Sequence, residues 1–290
     1  MSETPFLSVI VPTRKRNRQL GDCLRSLAQQ DYPPPLWEAI VVFDGEDFQP
    51  DPGLPAAAGR TPLTMVTQPH AGCGMARNTG ASRARGRFLV FADDDCQFPP
   101  DWLSRYAQAF ALDQESLVAG RSVNASRDNP YSQTTQDIVD YLQSRASAPV
   151  AVSNNFAAPA KGFHDIGGFH PRYYRRPPAA EDRDFSFRWI SAGRRIVDAP
   201  GIVVYHSHAL DLWSFLRQHY NYGSGAYVLH RTLAQGGSGR GRQPADFYLS
   251  LLLWPFSRHR GSRSAWLWPL ILGSQCAQIA GYVCQWFRGA

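Results

Sequence analysis

The stretch from Phe88 to Cys96, FLVFADDDC, decides the fold. Its first five residues are apolar, and an apolar run this short is typical of a strand that is buried on both faces. Three aspartates follow at the carboxyl end of that strand. Ligands of open α/β sheets bind at this end, where strands pass into loops. The stretch therefore predicts an acidic binding site at the edge of a central sheet.

The aspartate triplet (Asp93, Asp94 and Asp95) indicates a bound cation. Adjacent carboxylates repel one another, so we expect a positive charge among them. Hard oxygen ligands of this kind suit magnesium or manganese. An isolated run of like charges is more often a solvated surface turn. The buried strand directly before the triplet favours the metal site over that alternative.

The composition of the chain is that of a basic globular protein. Its 290 residues allow one large domain or one domain with an appendage, and 43% hydrophobic residues can form a core. The net charge of +6 is carried almost entirely by arginine, which binds phosphate through a planar fork. We therefore expect phosphate-rich ligands or an anionic membrane surface as partners. No zinc-finger spacing, basic heptad region or aromatic RNA-binding signature supports a nucleic acid.

The five cysteines are scattered, and none forms a Cys-x-x-Cys pair. Neither a disulfide framework nor a zinc site is indicated, which favours a reducing cytosol. The first residues carry no charged-then-apolar leader, so we expect no secretion signal. The sequence thus predicts a cytoplasmic protein.

Predicted strands and helices alternate over the first third of the chain. The predicted strands are Phe6 to Val11, Trp37 to Phe43 and Leu63 to Val66, and the Pro- and Gly-rich segment from Glu46 to Pro62 is a predicted loop. This alternation is typical of a parallel sheet flanked by helices. The segment from Gly72 to Gly80 opens a helix whose free N–H groups suit an anion, although close helix–strand packing also selects glycine.

A second acidic cluster, Glu181 to Asp184, opens a predicted helix. Acidic residues also occur in a first helical turn for purely structural reasons, because they favour the positive end of the helix dipole. Both a functional and a structural interpretation therefore stay open for this cluster. Further along, His206 and His208 flank the end of a predicted strand, where either metal ligation or a structural role is compatible with the sequence.

The C-terminal run from Ala265 to Phe287 contains no charged residue and is long enough to span a bilayer. However, Gln275, Gln278 and Gln285 fall near one helical face, and Pro269 interrupts the start. We therefore expect two amphipathic helices that lie in the membrane interface, with neighbouring arginines toward anionic head groups. The alternative is a helical cap packed on the protein itself.

A series of motifs resembles family-2 glycosyltransferases in order and spacing. Each motif alone is weak, and the series covers residues 6 to 225. The motifs are SVIVPT (Ser8 to Thr13), VVFDG (Val41 to Gly45), ARNTG (Ala76 to Gly80), the aspartate triplet, GGF (Gly167 to Phe169), EDRD (Glu181 to Asp184) and the late His206.

This resemblance implies an α/β fold: a single nucleotide-sugar-binding domain of the glycosyltransferase A type, with a mainly parallel central sheet flanked by helices. It would span residues 1–225, and residues 226–290 would form a helical, membrane-associating appendage. The implied activity is metal-dependent, inverting transfer of a sugar from a nucleotide-diphosphate donor, with UDP-sugars favoured, to an acceptor hydroxyl. The basic, apolar tail favours a glycan or lipid-linked acceptor at the inner face of the cell membrane, in cell-surface polysaccharide or glycolipid synthesis.

The resemblance also assigns the residues of the donor site. Manganese or magnesium would be held by Asp93 and Asp95, with His206 as a supplementary ligand and Asp94 near the ribose or sugar. The nucleotide and donor would be bound by Pro12, Thr13, Arg14, Arg77, Asn78 and Asp44, of which Asp44 would face the base.

The acceptor side needs a carboxylate that takes the proton of the attacking hydroxyl. This role is assigned to Asp182, with Glu181 contacting the acceptor. Closure of the loop from Tyr173 to Pro178 would exclude water. The rest of the acceptor subsite is expected to involve Asn154, Asn155, Trp102 and the segment from Phe169 to Pro178.

Two other functions remain open at this point. A sugar-phosphate nucleotidyltransferase has a similar architecture, but a Gly-rich phosphate loop is expected after its first strand, where this chain has Pro12 to Lys15. A non-catalytic, membrane-bound nucleotide-sugar-binding protein is the other alternative. Phe43 supports it, because the family often has an acidic or amide residue there.

Overall fold

Strand β4 (Phe88–Ala92) lies in the middle of an eight-stranded sheet in the computed structural model of the protein. The structure describes residues 6–145, 150–173, 179–235, 245–258 and 262–289. The other strands are β1 (Leu7–Thr13), β2 (Trp37–Asp44), β3 (Leu63–Gln68), β5 (Cys96–Gln97), β6 (Leu117–Asn124), β7 (Asn155–Pro159) and β8 (Ile196–His206). The helices are α1 (Asn17–Leu27), α2 (Leu54–Ala57), α3 (Cys73–Arg83), α4 (Trp102–Leu112), α5 (Pro130–Arg145), α6 (Ala160–Asp165), α7 (Glu181–Ser191), α8 (Leu212–Gln235), α9 (Ala245–Arg258) and α10 (Ser262–Gly289), with short 3₁₀ turns at Pro34–Leu36 and Pro171–Tyr173.

The strands follow the order β3-β2-β1-β4-β7-β6-β8-β5 across the sheet. Strands β3, β2, β1 and β4 are parallel, because helical connections return the chain to the same end of the sheet. Strand β7 runs antiparallel to β4 and β6, and β5 runs antiparallel to β8. The predicted α/β fold with a central sheet and flanking helices is confirmed.

Both faces of the central strands are covered, as the apolar run in β4 predicts. Successive side chains of a strand point to opposite faces. One face carries Phe88 and Val90 into a core with α1 and α4, and the other carries Leu89 and Phe91 into a core with α6 and α7. The strand therefore has no solvent-facing side, which explains why its sequence does not alternate.

Three local features of the structure were not expected from the sequence. The predicted loop from Glu46 to Pro62 contains the four-residue helix α2. Strand β8 is continuous from Ile196 to His206, although Pro200 lies inside it and proline is unfavourable within a strand. Strand β7 was not predicted, since Ala and Pro are poor strand formers, and it is stabilised by its two neighbours in the sheet.

The described chain divides into two compact units. The first comprises residues 6–123, 150–173 and 181–207, and the second comprises residues 124–145, 179–180, 208–235, 245–258 and 262–289. The sheet and the motif series lie mainly in the first unit. The predicted domain boundary after residue 225 falls inside α8, and the division into domains of distinct function stays a prediction.

The second unit is helical and has a small core of its own. Ile138 and Tyr141 of α5 pack against Leu251 of α9 and Ile271 of α10. The Tyr141 hydroxyl also donates a hydrogen bond of 2.7 Å to the Phe247 carbonyl. The predicted helical appendage is thus present, and α5, from the middle of the chain, belongs to it.

Helices α8 and α10 approach each other closely at two glycines. A Cβ added to Gly223 would lie 1.9 Å from the Gln278 carbonyl oxygen, and one added to Gly281 would lie 2.0 Å from the Tyr220 carbonyl oxygen. Between them the Ser224 hydroxyl donates a hydrogen bond of 3.0 Å to the Gly281 carbonyl. Only glycine allows backbones to come this close.

Helix α10 is 28 residues long, which exceeds the length that a bilayer-spanning helix needs. Its sequence includes glutamine, serine, glycine and proline among the apolar residues. None of the helices in the described part of the chain combines the length and the hydropathy needed to cross a membrane.

We predict that Gly281→Ala lowers the free energy of unfolding by about 1–3 kcal/mol, because the new methyl group meets backbone atoms of α8 that cannot move alone. Urea denaturation followed by tryptophan fluorescence measures this change.

Gly273→Ala is the matched control in the same helix, since nothing lies within 4 Å of its added Cβ. It is expected to leave stability unchanged or to raise it by about 0.5–1 kcal/mol, the usual helical preference of alanine over glycine. Equal effects of the two variants would contradict the close helix contact.

Candidate active site

The carboxyl ends of β1, β2 and β4 lie side by side at one edge of the sheet. Thr13 ends β1, Asp44 ends β2, and the aspartate triplet follows β4. Because these strands are parallel, residues from three distant parts of the chain meet at the same edge. The structure thus brings together the strand-end residues that the sequence singles out.

Two of the three aspartates are buried. Asp94 and Asp95 have little exposed surface, and the Thr13 hydroxyl donates a hydrogen bond of 2.6 Å to Asp94 Oδ2. Behind the triplet, the Cys96 N–H donates to the Asp93 carbonyl at 3.2 Å and tightens the turn. A solvated acidic turn is therefore excluded for Asp94 and Asp95. Buried carboxylates need partners, because burial of an unpaired charge is costly.

Arg16 pairs with both buried aspartates. Its Nη1 donates hydrogen bonds of 3.1 Å to Asp94 Oδ1 and 2.9 Å to Asp95 Oδ2. A single nitrogen thus bridges two carboxylates. The sequence predicted a cation at this place, and the chain itself provides one.

Two further groups surround the triplet. Arg77 Nη2 donates to Asp93 Oδ1 at 2.6 Å, and His206 Nε2 lies 2.9 Å from Asp95 Oδ1. His206 reaches this position because β8 pairs with β5, which places it opposite Cys96. Each aspartate therefore has at least one positively charged or ionisable partner.

The pKa values at the triplet reflect burial and pairing. Burial raises the pKa of Asp94 to about 6, although the hydrogen bond from Thr13 and the charge of Arg16 oppose this shift. Burial opposes the charged form of His206, but its hydrogen bond with Asp95 and the charges of Asp95 and Asp93 together raise the pKa of the imidazole. Burial likewise opposes the charge of Arg16, and the carboxylates of Asp94 and Asp95 nevertheless raise its pKa.

The donor set at Asp95 and His206 fits a divalent cation. A carboxylate oxygen and an imidazole nitrogen 2.9 Å apart are the ligand types that manganese accepts, and magnesium accepts the oxygen. Oδ1 of Asp93, the other predicted ligand, accepts a hydrogen bond from Arg77. His208 belongs to the second compact unit.

Asp44 is saturated by protein donors. Its Oδ1 accepts hydrogen bonds from Gln68 Nε2 at 2.8 Å and from the Ala71 N–H at 2.7 Å. Its Oδ2 is bonded by His70 Nδ1 at 2.7 Å and by the Gly72 N–H at 2.9 Å. Burial disfavours the Asp44 charge, but these hydrogen bonds together lower its pKa. The carboxylate therefore organises the loop that opens α3.

His70 connects Asp44 to the end of β1. Its Nδ1 faces Asp44, and Arg14 Nη1 lies 2.8 Å from its Nε2. Because an arginine can only donate, Nε2 accepts this hydrogen bond and Nδ1 carries the proton. The exposed faces of His70 and Arg14 line the sheet edge beside Asp44.

Arg77 joins the triplet to α7. In addition to Asp93, the guanidinium donates to Glu181 Oε1 at 3.2 Å, and it lies 5.6 Å from the centroid of the Phe169 ring. The side chain is only 2% exposed. The next residue, Asn78, donates to the Phe169 carbonyl at 2.8 Å and accepts from the Phe169 N–H at 2.9 Å. Both residues predicted to bind the donor thus fix neighbouring parts of the site.

The first turn of α7 carries the second acidic cluster. Glu181 and Asp182 are partly exposed, whereas Asp184 is buried. Asp184 Oδ2 accepts from Arg188 Nε at 2.7 Å, and Asp184 Oδ1 accepts from the Tyr173 hydroxyl at 3.2 Å. Asp184 therefore ties α7 to the 3₁₀ turn Pro171–Tyr173, and the carboxylates of Glu181 and Asp182 are partly exposed. The predicted closing loop lies largely outside the described residues, at 174–178.

Asn155 holds the sheet together. Its Oδ1 accepts from Trp102 Nε1 at 2.9 Å and from the Tyr106 hydroxyl at 2.8 Å. Its Nδ2 donates to the carbonyls of Arg121 at 3.0 Å and Ile202 at 2.8 Å. The residue is fully buried and its carboxamide is committed to these partners, so we leave Asn155 and Trp102 out of the proposed binding site.

One predicted donor-binding residue, Pro12, lies within a strand. Pro12 is buried inside β1, next to Val42 of β2.

Three residues of the site were missed by the sequence analysis: Arg16, Gln68 and His70. The basic run Arg14 to Arg16 could have indicated Arg16, because the predicted acidic site needs a positive counter-charge. No local pattern pointed to Gln68 or His70.

The sequence model of the family described as glycosyl transferase family 2 matches residues 8–176. The chain belongs to this family. The matched segment contains β1 to β7 and the aspartate triplet, and it is more than half of the chain. The predicted family and enzyme class are therefore confirmed at the level of the family.

The chain is also similar to individual glycosyltransferases. Glycosyltransferase AglE of Haloferax volcanii is 30% identical over 121 residues, which is 41% of this chain and 40% of that protein. Mannosyltransferase PcManGT from Pyrobaculum calidifontis, solved with GDP-Man and Mn²⁺, has a TM-score of 0.68 at 18% identity and covers 100% of this chain and 89% of its own. Staphylococcus aureus TarS 1–349, solved with UDP-GlcNAc, has a TM-score of 0.54 at 18% identity, over 98% and 91%.

These matches differ in what they support. The two structural similarities, at 18% identity, confirm the glycosyltransferase A fold and nothing finer. The chain spans less than half the length of the first curated relatives it matches. The donor, the acceptor and the reaction therefore remain matters for proposal.

We predict that Asn155→Ala lowers the free energy of unfolding by about 2–4 kcal/mol, because it leaves two buried donors and two buried carbonyls without their partner. Nucleotide binding by the folded variant should be unchanged. Urea denaturation and a nucleotide titration measure the two quantities.

Asn154→Ala is the control, since the Asn154 side chain donates one hydrogen bond of 3.2 Å, to the Ser122 hydroxyl. Its cost should stay below about 1.5 kcal/mol. A stable Asn155→Ala protein that no longer binds nucleotide would instead return Asn155 to the binding site.

Proposed function

We propose that the protein transfers a sugar from a nucleotide-diphosphate donor to an acceptor hydroxyl, with inversion at the anomeric carbon. The buried Arg77 bridge is the observation that carries this proposal, since it contacts Asp93 at 2.6 Å and Glu181 at 3.2 Å. The carboxylates assigned to the metal and those assigned to the acceptor are thereby held on either side of one guanidinium. A metal-held diphosphate and an acceptor hydroxyl would meet next to this bridge.

The donor is proposed to lie along Thr13, Arg14 and the triplet, at the carboxyl edge of the sheet. Proteins of similar fold have been solved with GDP-Man and with UDP-GlcNAc, so this fold accommodates either base. In this chain the exposed His70 ring, which Asp44 orients, provides with Arg14 the polar surface for a base. The sequence resemblance favours UDP-sugars.

A divalent cation is proposed at Asp95, His206 and Asp93. The fit rests on the oxygen and nitrogen donors that Asp95 and His206 direct to one place. When bound, Mn²⁺ or Mg²⁺ would supply positive charge that stabilises the departing diphosphate.

Asp182 is proposed as the general base. It lies in the first turn of α7, next to Glu181, which Arg77 ties to the triplet. As the acceptor oxygen bonds to the anomeric carbon, Asp182 takes the hydroxyl proton, and the bond to the diphosphate breaks on the opposite face of the sugar. Inversion follows from this single displacement.

We predict that Asp182→Asn lowers sugar transfer by about a hundred- to ten-thousandfold, because the amide cannot take a proton. Nucleotide binding in the presence of Mn²⁺ should be unchanged in this variant. Asp95→Ala should instead lose the Mn²⁺-dependent part of nucleotide binding. Calorimetric titration with UDP and GDP, together with release of free nucleoside diphosphate from a panel of nucleotide sugars, measures both effects.

Asp198→Asn is a matched control, since Asp198 is an exposed aspartate on β8. Full activity of Asp182→Asn would remove this residue from the base role. Absence of nucleoside diphosphate release by the wild type with every donor and acceptor, despite nucleotide binding, would support a non-catalytic binding protein instead.

The acceptor is proposed to be a glycan or a lipid-linked molecule near a membrane surface, where the protein would take part in polysaccharide or glycolipid synthesis. Large apolar side chains are exposed on the helices of the second unit, among them Trp213, Trp266, Trp286 and Phe287. Tryptophan rings favour the membrane–water interface. The basic composition adds attraction to anionic lipids.

We predict that the wild type co-sediments with vesicles of phosphatidylglycerol and phosphatidylcholine. Replacing Trp286 and Phe287 by serine should weaken this binding by at least about tenfold, because two exposed aromatic rings would be lost from the interface. Leu112→Ser is the control, since Leu112 is 91% exposed and lies on α4 of the first unit. Equal binding of the wild type and the Trp286/Phe287 double variant would argue against this surface.

A further inference from the structure

Arg16 lies between two carboxylates, and one of them belongs to Asp95, a proposed ligand of the divalent cation. Its Nη1 contacts Asp94 Oδ1 at 3.1 Å and Asp95 Oδ2 at 2.9 Å. The other oxygen of Asp95 faces His206. Arg16 and the proposed metal site thus share one carboxylate group.

The arginines at the triplet differ in how firmly they are held. Arg77 is 2% exposed and is fixed by two carboxylates and the Phe169 ring. Arg16 is 44% exposed, and its hydrogen bonds to carboxylates use Nη1. Arg16 can therefore leave the triplet by rotating its side chain into solvent, whereas Arg77 cannot.

The backbone directs Arg16 to this place. Lys15 has a positive φ of 56°, which is unusual for a residue other than glycine. The turn at Lys15 points the side chains on either side of it in different directions. Arg14 contacts His70, and Arg16 contacts the triplet. Because Arg16 precedes α1 and accepts the first helical hydrogen bond, from Leu20, only its side chain needs to move.

We infer that Arg16 is an exchangeable counter-ion that becomes a donor-binding residue. Without a divalent cation it pairs with Asp94 and Asp95. A cation on Asp95 repels the guanidinium, which then turns to the diphosphate at the same edge of the sheet. An arginine fork matches phosphate oxygens. This inference rests on the proposed nucleotide-diphosphate donor and divalent cation.

The test measures binding of Mn²⁺ alone and of nucleoside diphosphate in saturating Mn²⁺. The electron paramagnetic resonance signal of free Mn²⁺ gives the first affinity, and calorimetric titration with UDP and GDP gives the second. Arg16→Gln should bind Mn²⁺ alone about tenfold more tightly than the wild type, because its competitor is gone. It should bind the nucleoside diphosphate about tenfold more weakly, because a phosphate contact is lost.

Two variants serve as controls. Lys15→Gln removes the same charge one residue away, where Lys15 pairs with Asp47 instead of the triplet, and should change each affinity less than threefold. Arg16→Lys keeps the charge and should bind Mn²⁺ with about the same affinity as the wild type. If Arg16→Gln fails to fold, Arg16→Lys still tests the inference, because tighter Mn²⁺ binding by Arg16→Lys than by the wild type overturns it.

The outcomes separate this inference from the proposed function. Wild-type binding of Mn²⁺ and nucleotide, with equal affinities in Arg16→Gln, overturns the role of Arg16 alone. No Mn²⁺ binding by any variant, with or without UDP or GDP, overturns both this role and the proposed metal dependence. Tighter Mn²⁺ binding combined with weaker nucleotide binding in Arg16→Gln supports the exchange.

Discussion

The buried salt bridges of Arg77 are the interaction on which the site depends. A guanidinium that is almost fully buried is stable only with well-placed partners, and Asp93 and Glu181 supply them. These residues lie on α3, after β4 and on α7, so one side chain fixes three elements of the first unit. Burial by itself would lower the pKa of Arg77, and the neighbouring anionic groups nevertheless raise it. Loss of Arg77 would leave the carboxylates of Asp93 and Glu181 without the cation that they share.

Local sequence patterns accounted for elements whose apolar residues form one short run or recur at helical spacing. The buried strand β4 was predicted from its apolar run. In α1 the buried residues Leu20, Cys23, Leu24 and Leu27 recur at the spacing of one helical face. The roles of Asp44, Asn78 and Asn155 could not be predicted in the same way. Their partners lie far away in the chain, 91 residues from Asn78 in the case of Phe169, and only the tertiary fold brings them together. The motif series located Asp44 and Asn78 but not what their side chains contact.

Glycine at the site serves packing in one place and backbone geometry in another. A Cβ on Gly80 would lie 2.4 Å from the Ile10 side chain, so this motif glycine lets α3 pack on β1. Gly72 has a φ of 84° and donates to Asp44, so it shapes the turn before α3. The sequence left ligand approach and helix–strand packing open, and the structure gives packing as the reason at Gly80. Of the described residues other than glycine, Lys15 and Ala180 have positive φ, and both directly precede site residues.

The two arginines at the triplet differ in burial, and this difference gives them different electrostatic roles. A fully buried charge pair in a low dielectric is strong but cannot be exchanged, because its separation would leave both charges without solvent. A half-exposed charge can move into water at little cost, because solvent replaces its partner. Arg77 therefore sets the geometry of Asp93 and Glu181 permanently, whereas Arg16 can compensate Asp94 and Asp95 for as long as no other cation is present. With the proposed exchange, the same acidic cluster would be stable without a metal ion and would still bind one.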